Sequence, residues 1–354
     1  MRVEGLPVQG PAEVVLPCAD LAATLEVFVG QLGFRVETIF PADEPRVASL
    51  SGHGLRLRLE PGDGAPGVIR LAGSGETLTA PNGTRIEFVD PDPPVEVPPL
   101  SPGFILTRAD GPGPGEGRAG MLYRDLIPGR LGGRFIASHI TIPEGGPVAD
   151  WVHFHKIRFQ MIYCARGWVR VVYEDQGPPF VLQAGDCVLQ PPRIRHRVLE
   201  SSPGLEVVEI GCPALHETLA DHDLALPTDR LDPARDFGGQ RFLRHVAADT
   251  AWMPHGETGF VRRDTGMTEA TVGLAEVRVI RPATSYAFAV DGYDGELLFG
   301  FVLQGTAVLD HAGAHPLGPR DAFVIPPESP WGLTGASADF ELLEVILPAG
   351  ASGA

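Results

Sequence analysis

From residue 134 to residue 210 the chain switches every few residues between a short apolar run and a turn signal. Strand candidates fall at 134–142, 151–155, 159–164, 168–173, 179–182, 186–190, 195–200 and 205–210, separated by turn sequences such as Glu144-Gly145-Gly146 and Ala184-Gly185. A strand buried on one face needs a second sheet, or closure of its own sheet, to cover that face. The same layout returns about 135 residues later, which signals duplication of one folding unit. Gly300-Phe301-Val302-Leu303-Gln304-Gly305 parallels the approach to Gly167. The run from Leu317 to Pro327 parallels that from Leu182 to Pro192, and 340–347 parallels 205–210. The expected fold is therefore mainly β, with two tandem barrels or sandwiches.

The first 95 residues read differently. A strand candidate at 13–17 precedes Asp20, a helix N-cap for 21–32, where Leu21, Leu25, Val27, Phe28 and Leu32 fall near helical spacing. Gly33 ends that helix, and strands follow at 34–39, 46–51 and 54–60. This β-α-β-β-β order, with Leu32-Gly33-Phe34 after the helix, resembles the glyoxalase/vicinal-oxygen-chelate module. The run from Leu78 to Phe88 resembles the closing strand of that family's second module, whose helix has no counterpart between Gly64 and Thr77. The resemblance matches Glu13 and Glu87 to metal-ligand positions. Without the full second module, both read as solvated or edge carboxylates, and His53 reads as a turn residue. The segment is expected to serve packing or dimerisation. A homodimer would best explain its truncation. Proline-rich 91–102 and glycine-proline-rich 110–117 read as connectors.

A net charge of −17 excludes nucleic acid and anionic membrane surfaces as partners. No run reaches the roughly 18 apolar residues of a membrane span, and no signal peptide is recognisable. Cys18, Cys164, Cys187 and Cys212 form no CxxC pair and sit in or beside apolar runs, so they are expected as buried free thiols. These observations point to a cytoplasmic protein with a small-molecule substrate.

The chemistry-bearing residues lie in the first barrel. His153 and His155 are two apart on a strand candidate and so share a face. Gln160 follows five residues later, and His196 comes on a later strand, after Gly185-Asp186 and Pro191. Imidazoles with one oxygen ligand suit a divalent first-row metal. The order Gly146, His153-x-His155, Gln160, Gly167, then Gly185, Pro191, His196 resembles the two motifs of the cupins, which are jelly-roll barrels, and the duplication makes the resemblance one to a bicupin. It implies a metal held by His153, His155 and His196, with Gln160 where the family has glutamate. Gly146 lies one residue early, and Arg193 and Glu200 replace a glycine and an asparagine of the second motif. A neutral ligand set leaves the ion its full +2 charge, which favours an anionic bidentate substrate such as an α-keto acid.

Arg158, two before Gln160, is expected to share its face and to bind a substrate carboxylate, or else to be solvated at the strand start. Cys164 has Gln160's parity and is expected in the pocket wall. His139 reads as a plain strand histidine, and Arg195 and Arg197 should point away from His196. In the second barrel, Asp291 and Tyr293 stand in place of the paired histidines, Leu298 in place of Gln160, and Trp331 in place of His196. That barrel is expected to be metal-free, with Leu298 and Trp331 filling its interior and the barrel covering one face of the first.

The expected organisation is a glyoxalase-like module at 1–95, a metal-binding cupin barrel at 96–225 and a degenerate one at 226–354. Three functions remain open on these residues. The first is a dioxygenase-type oxidoreductase using iron(II), with nickel, manganese or zinc as other candidates. The second is a non-redox isomerase or lyase. The third is a non-catalytic small-molecule-binding bicupin.

Overall fold

The structure, a computed structural model, describes residues 11–347. The chain divides into two compact units at Pro94 and Val95. In the first, Asp20 caps the helix Leu21–Leu25 by accepting a hydrogen bond from the Ala23 amide at 3.0 Å. The expected α-helix to residue 32 stops early. It widens into a π-helical turn at Glu26–Gln31, in which the Leu32 amide donates to the Val27 carbonyl. The wider turn keeps Phe28 and Leu32 on the core. Strands Val14–Pro17, Arg35–Phe40, Val47–Gly52 and Leu55–Glu60 form one sheet, with the first strand parallel to the last. Val68–Ala72, Leu78–Thr79 and Arg85–Val89 form another, and both share one apolar core. Glu87 is held by Arg70 and Arg85, and Glu13 is exposed.

The second unit is two sandwiched barrels. In the first barrel, a sheet of seven strands runs in the order Leu243–His245, Cys187–Leu189, Phe159–Arg166, Leu205–Cys212, Ile136–Ile142, Leu122–Asp125 and Gly115–Glu116. Facing it lie Phe180–Gln183, Trp168–Tyr173, His196–Ser201, His153–His155 and Thr218–Ala220. The second barrel repeats this with a seven-stranded sheet centred on Glu276–Pro282, Glu341–Leu347 and Leu297–Gln304. Its facing sheet has four strands.

The two seven-stranded sheets are buried on both faces, which explains why their strands read as near-continuous apolar runs. On Leu297–Gln304, Leu297, Phe299 and Phe301 join a core shared between the barrels, while Leu298 and Val302 face the second barrel's own interior. On Phe159–Arg166, Phe159, Met161 and Tyr163 join the same shared core. Gln160 and Ile162 face the first barrel's cavity. The boundary expected at residue 225 is not a clean cut. Ile105–Thr107 pairs with Ala322–Ile325 of the second barrel, and Leu243–His245 pairs with Cys187–Leu189 of the first. Each barrel thus completes the other's sheet.

The duplicated turn shows the repeat at atomic detail. Gly167 and Gly305 have φ of +75° and +71°. In both, the next amide donates to a serine hydroxyl, Trp168 to Ser202 at 3.0 Å and Thr306 to Ser337 at 2.9 Å. A Cβ on Gly305 would lie 2.5 Å from Phe340 Cα, where backbone cannot yield easily. Gly305→Ala is expected to lower stability by about 2 kcal/mol, read as a fall in melting temperature.

Candidate metal centre

Two adjacent strands bring the three histidines together. His153 is the register partner of His196 across an antiparallel pair, and His155 lies two residues on, on the same face. Ring centroids are 4.2 Å apart for His153 and His196, 5.3 Å for His153 and His155, and 5.4 Å for His155 and His196. One ligand nitrogen from each lies within 4.8 Å of the others. All three side chains are buried.

Their hydrogen bonds set the tautomer. Nδ1 of His153 lies 2.8 Å from the Trp151 carbonyl, that of His196 3.0 Å from the Ile194 carbonyl, and that of His155 3.2 Å from the Glu217 carbonyl. A carbonyl only accepts, so each Nδ1 carries the hydrogen and each Nε2 keeps its lone pair. The Nε2 of His153 is buried without a hydrogen-bond partner among the described residues. Burying such an atom unpaired costs free energy, and a divalent cation among three Nε2 lone pairs removes that cost. The residues therefore fit a metal ion.

Burial is the main cause lowering the pKa of all three, followed by charge repulsion from His216 and His153 on His155, and from His153 and His155 on His196. His155 falls to about 3, His196 falls well below the usual range, and His153 is lowered by burial and by Arg118. At neutral pH they are neutral and ready to ligate. The unfolded chain takes up protons near pH 6.5 that folded His155 refuses down to about 3, and His153 and His196 shift in the same direction. The metal-free protein is therefore expected to hold its full stability above about pH 6.5, and to lose it progressively as pH falls through that window. Denaturant melts at successive pH values check this, and His155→Gln should flatten the dependence.

The cavity around the histidines measures ≈ 80 Å³. Its wall is mostly aliphatic, with Ile140, Ile142, Val171, Leu182, Leu205 and Val207 among the lining residues. Besides the histidines, polar residues are few: Gln160, Gln190, Tyr123, Tyr173, Glu209, Arg118 and also Arg197, which was expected to point away from His196. Arg118 pairs with Asp150, which also accepts from the Val198 amide, and its guanidinium lies 5.7 Å from the Trp151 ring. Its side chain is 26% exposed, against 1% for His153, so Arg118 stands where the cavity meets solvent.

No family model and no curated protein matches this sequence. Solved structures do match. Protein Ylba from E. coli superposes with a TM-score of 0.54 at 13% identity, over 70% of this chain and 91% of that one. A variant of Bacillus subtilis oxalate decarboxylase OxdC gives 0.52 at 10% identity, over 72% and 78%. A further structure of that enzyme, from work on its Mn(II) centres, gives 0.51 at 12% over the same shares. The fold is that of a bicupin.

In this fold the first barrel gathers His153, His155, His196 and Gln160 around one cavity. Gln160 Nε2 donates to Glu209 Oε1 at 2.5 Å. Arg158 is a correction. Its guanidinium pairs with Glu296 of the second barrel at 2.8 and 3.1 Å and does not line the cavity. Regular pairing starts at Phe159, so the strand's alternation does not extend to Arg158. Arg134 joins the same carboxylate. Cys164 is corrected likewise: it lies in the interior cluster, donating to backbone carbonyls, outside the cavity wall. His139 hydrogen-bonds Glu206, which Arg320 of the second barrel also holds. Arg195 pairs with Asp221 and stacks on Phe154, away from the histidines. In the second barrel Leu298 and Trp331 are buried in one apolar cluster with Phe260, Phe288 and Phe323.

Sequence reading missed Arg118 and Glu209. Arg118 lies beside a glycine-rich connector, where no periodicity predicts direction. Glu209 did leave a signal: one carboxylate inside the apolar run Val207-Val208-Glu209-Ile210, with the inward parity of Val207.

Proposed function

We propose that the first barrel is the active centre of a divalent-metal enzyme acting on a small chelating acid. The observation that carries this reading is the convergence of three buried imidazoles, each with its Nε2 lone pair free, in one largely apolar cavity. His153, His155 and His196, with Gln160, would hold the ion, which when bound supplies Lewis acidity toward a chelating substrate. The chain does the rest. Aliphatic walls exclude water and strengthen every charge interaction inside. Arg118, rather than Arg158, is the guanidinium we assign to a substrate carboxylate, since it lines the cavity and lies 3.5 Å from His153 Nδ1. A volume of ≈ 80 Å³ admits a molecule of only a few heavy atoms.

Donor type alone favours iron(II), nickel or zinc over manganese(II) at three imidazoles and an amide, but Bacillus oxalate decarboxylase, of like fold, has Mn(II) centres. Manganese is therefore the first ion to test. Dioxygenase-type oxidation is one reading of the reaction. A lyase reading gains from the like fold of oxalate decarboxylase. We read the first unit as a glyoxalase-like packing module, on its β-α-β-β-β order. The four unpaired buried cysteines support a reducing, cytoplasmic setting. No helix among the described residues is long and apolar enough to cross a membrane.

The test uses protein purified without chelator or histidine tag. Near-stoichiometric metal is expected, with turnover of short 2-oxo or 2-hydroxy monocarboxylates. Oxygen uptake matching turnover assigns the dioxygenase reaction, and anaerobic turnover assigns the non-redox isomerase or lyase, which the products then separate. Arg118→Gln should raise KM about tenfold or more with metal content unchanged. A wild type that takes up no manganese, iron, nickel or zinc ends the metalloenzyme reading and leaves a binding barrel.

A further inference from the structure

The position where the family resemblance expects a carboxylate ligand carries an amide, and a carboxylate stands one strand away. Gln160 lies on Phe159–Arg166 and Glu209 on the neighbouring Leu205–Cys212. The residue directly across from Gln160 is Gly211, which has no side chain. Glu209 is the register partner of Ile162 and so sits diagonal to Gln160, within reach of a long side chain. Both side chains line the histidine cavity. Among the described residues Glu209 makes one side-chain hydrogen bond, the 2.5 Å contact from Gln160 Nε2.

Hydrogen-bond chemistry then fixes the amide. A carboxylate oxygen accepts and an amide nitrogen donates, so the NH₂ end of Gln160 belongs to Glu209. The carbonyl end is the one left for other partners, and an amide oxygen ligates a hard divalent cation whereas an amide nitrogen does not. Without Glu209, no side-chain hydrogen bond among the described residues keeps the amide from turning over and presenting hydrogens to the cation.

We propose that Glu209 is the positioning residue for Gln160: it anchors the amide nitrogen so that Oε1 is the atom offered to the ion held by His153, His155 and His196. The inference rests on the metal-centre reading above and deepens it. The pair divides between two strands the work of one glutamate. Gln160 provides the ligand atom, and Glu209 provides the negative charge, one hydrogen bond removed from the ion. Outer groups of this kind typically govern metal affinity by 10–100-fold.

The test is Mn(II) titration of the full-length protein by calorimetry, with the Mn(II) paramagnetic resonance spectrum as a second readout. Glu209→Gln should weaken Mn(II) binding by about 10–100-fold and broaden the spectrum, because two facing amides can pair in either sense. The exchange variant Gln160→Glu/Glu209→Gln puts the carboxylate on the ligand position with an amide donor behind it, and should return affinity to the wild-type level or tighter. That rescue is not expected if Glu209 matters only for packing. Wild-type uptake that Glu209→Gln leaves unchanged overturns the inference alone, and so does an exchange variant as weak as the single one. Failure of the wild type to bind Mn(II), Fe(II), Ni(II) or Zn(II) overturns the metal centre and the inference with it. Melting curves of both variants confirm that loss of affinity is read on folded protein.

Discussion

His196→Ala is expected to abolish stoichiometric metal binding while leaving the barrel folded. The residue supplies one of three imidazoles whose free nitrogens converge, and it is the register partner of His153. Losing it leaves two imidazoles and an amide, too few for a tight site. Affinity should fall by more than the roughly 10–100-fold that supporting groups command. The fold should survive: among the described residues the imidazole hydrogen-bonds the Ile194 carbonyl two residues away, and the neighbouring strands whose rings it touches, at Tyr173 and His153, stay paired with it through register. The check is paired. Elemental analysis reads the bound metal. Melting with and without Mn(II) reads linkage, since an ion at a thousandfold its Kd adds about 4 kcal/mol to the folded state. The wild type should gain that shift and the variant should not. A variant that keeps stoichiometric metal would place the site elsewhere.

Phe299→Ala should destabilise both barrels at once. Phe299 is 0% exposed, on a strand of the second barrel, and its side chain enters the core shared with Phe159, Met161, Val208 and Ile210 of the first. Truncating a fully buried phenylalanine typically costs 3–5 kcal/mol, through lost burial and the cavity left behind. Against a typical stability of 5–15 kcal/mol that is a large fraction. Each barrel also borrows a strand from the other's stretch of chain, which couples their unfolding. Calorimetry should show one transition for the two barrels, shifted down, and bound Mn(II) should be released at that lower temperature. If metal release keeps its wild-type midpoint, the barrels unfold independently.

Much of this architecture was legible in the chain. Short apolar runs between glycine and proline turns place the strands. The parallel of Gly167 with Gly305 marks the duplication, and both glycines adopt the same left-handed turn. His153 and His155 share a face because alternation along a strand is local. The same rule failed for Arg158, where regular pairing begins one residue later and Glu296, 138 positions away, draws the guanidinium to the other barrel. Helical spacing overran in the same way at 21–32, where the α-helix gives way to a π-helical turn at Glu26–Gln31 with Phe28 buried.

The amino-acid order by itself determined the strand periodicity, the repeat and the identity of the three histidines, because these depend on residues close in sequence. Only the tertiary structure decided which faces meet. It set His196 against His153, brought Arg118 in from a connector, and placed Glu209 diagonal to Gln160 beside a glycine. Cross-strand register and the direction of a side chain in a connector are set by closure of the whole barrel, whose contacts are mostly between residues far apart in the chain.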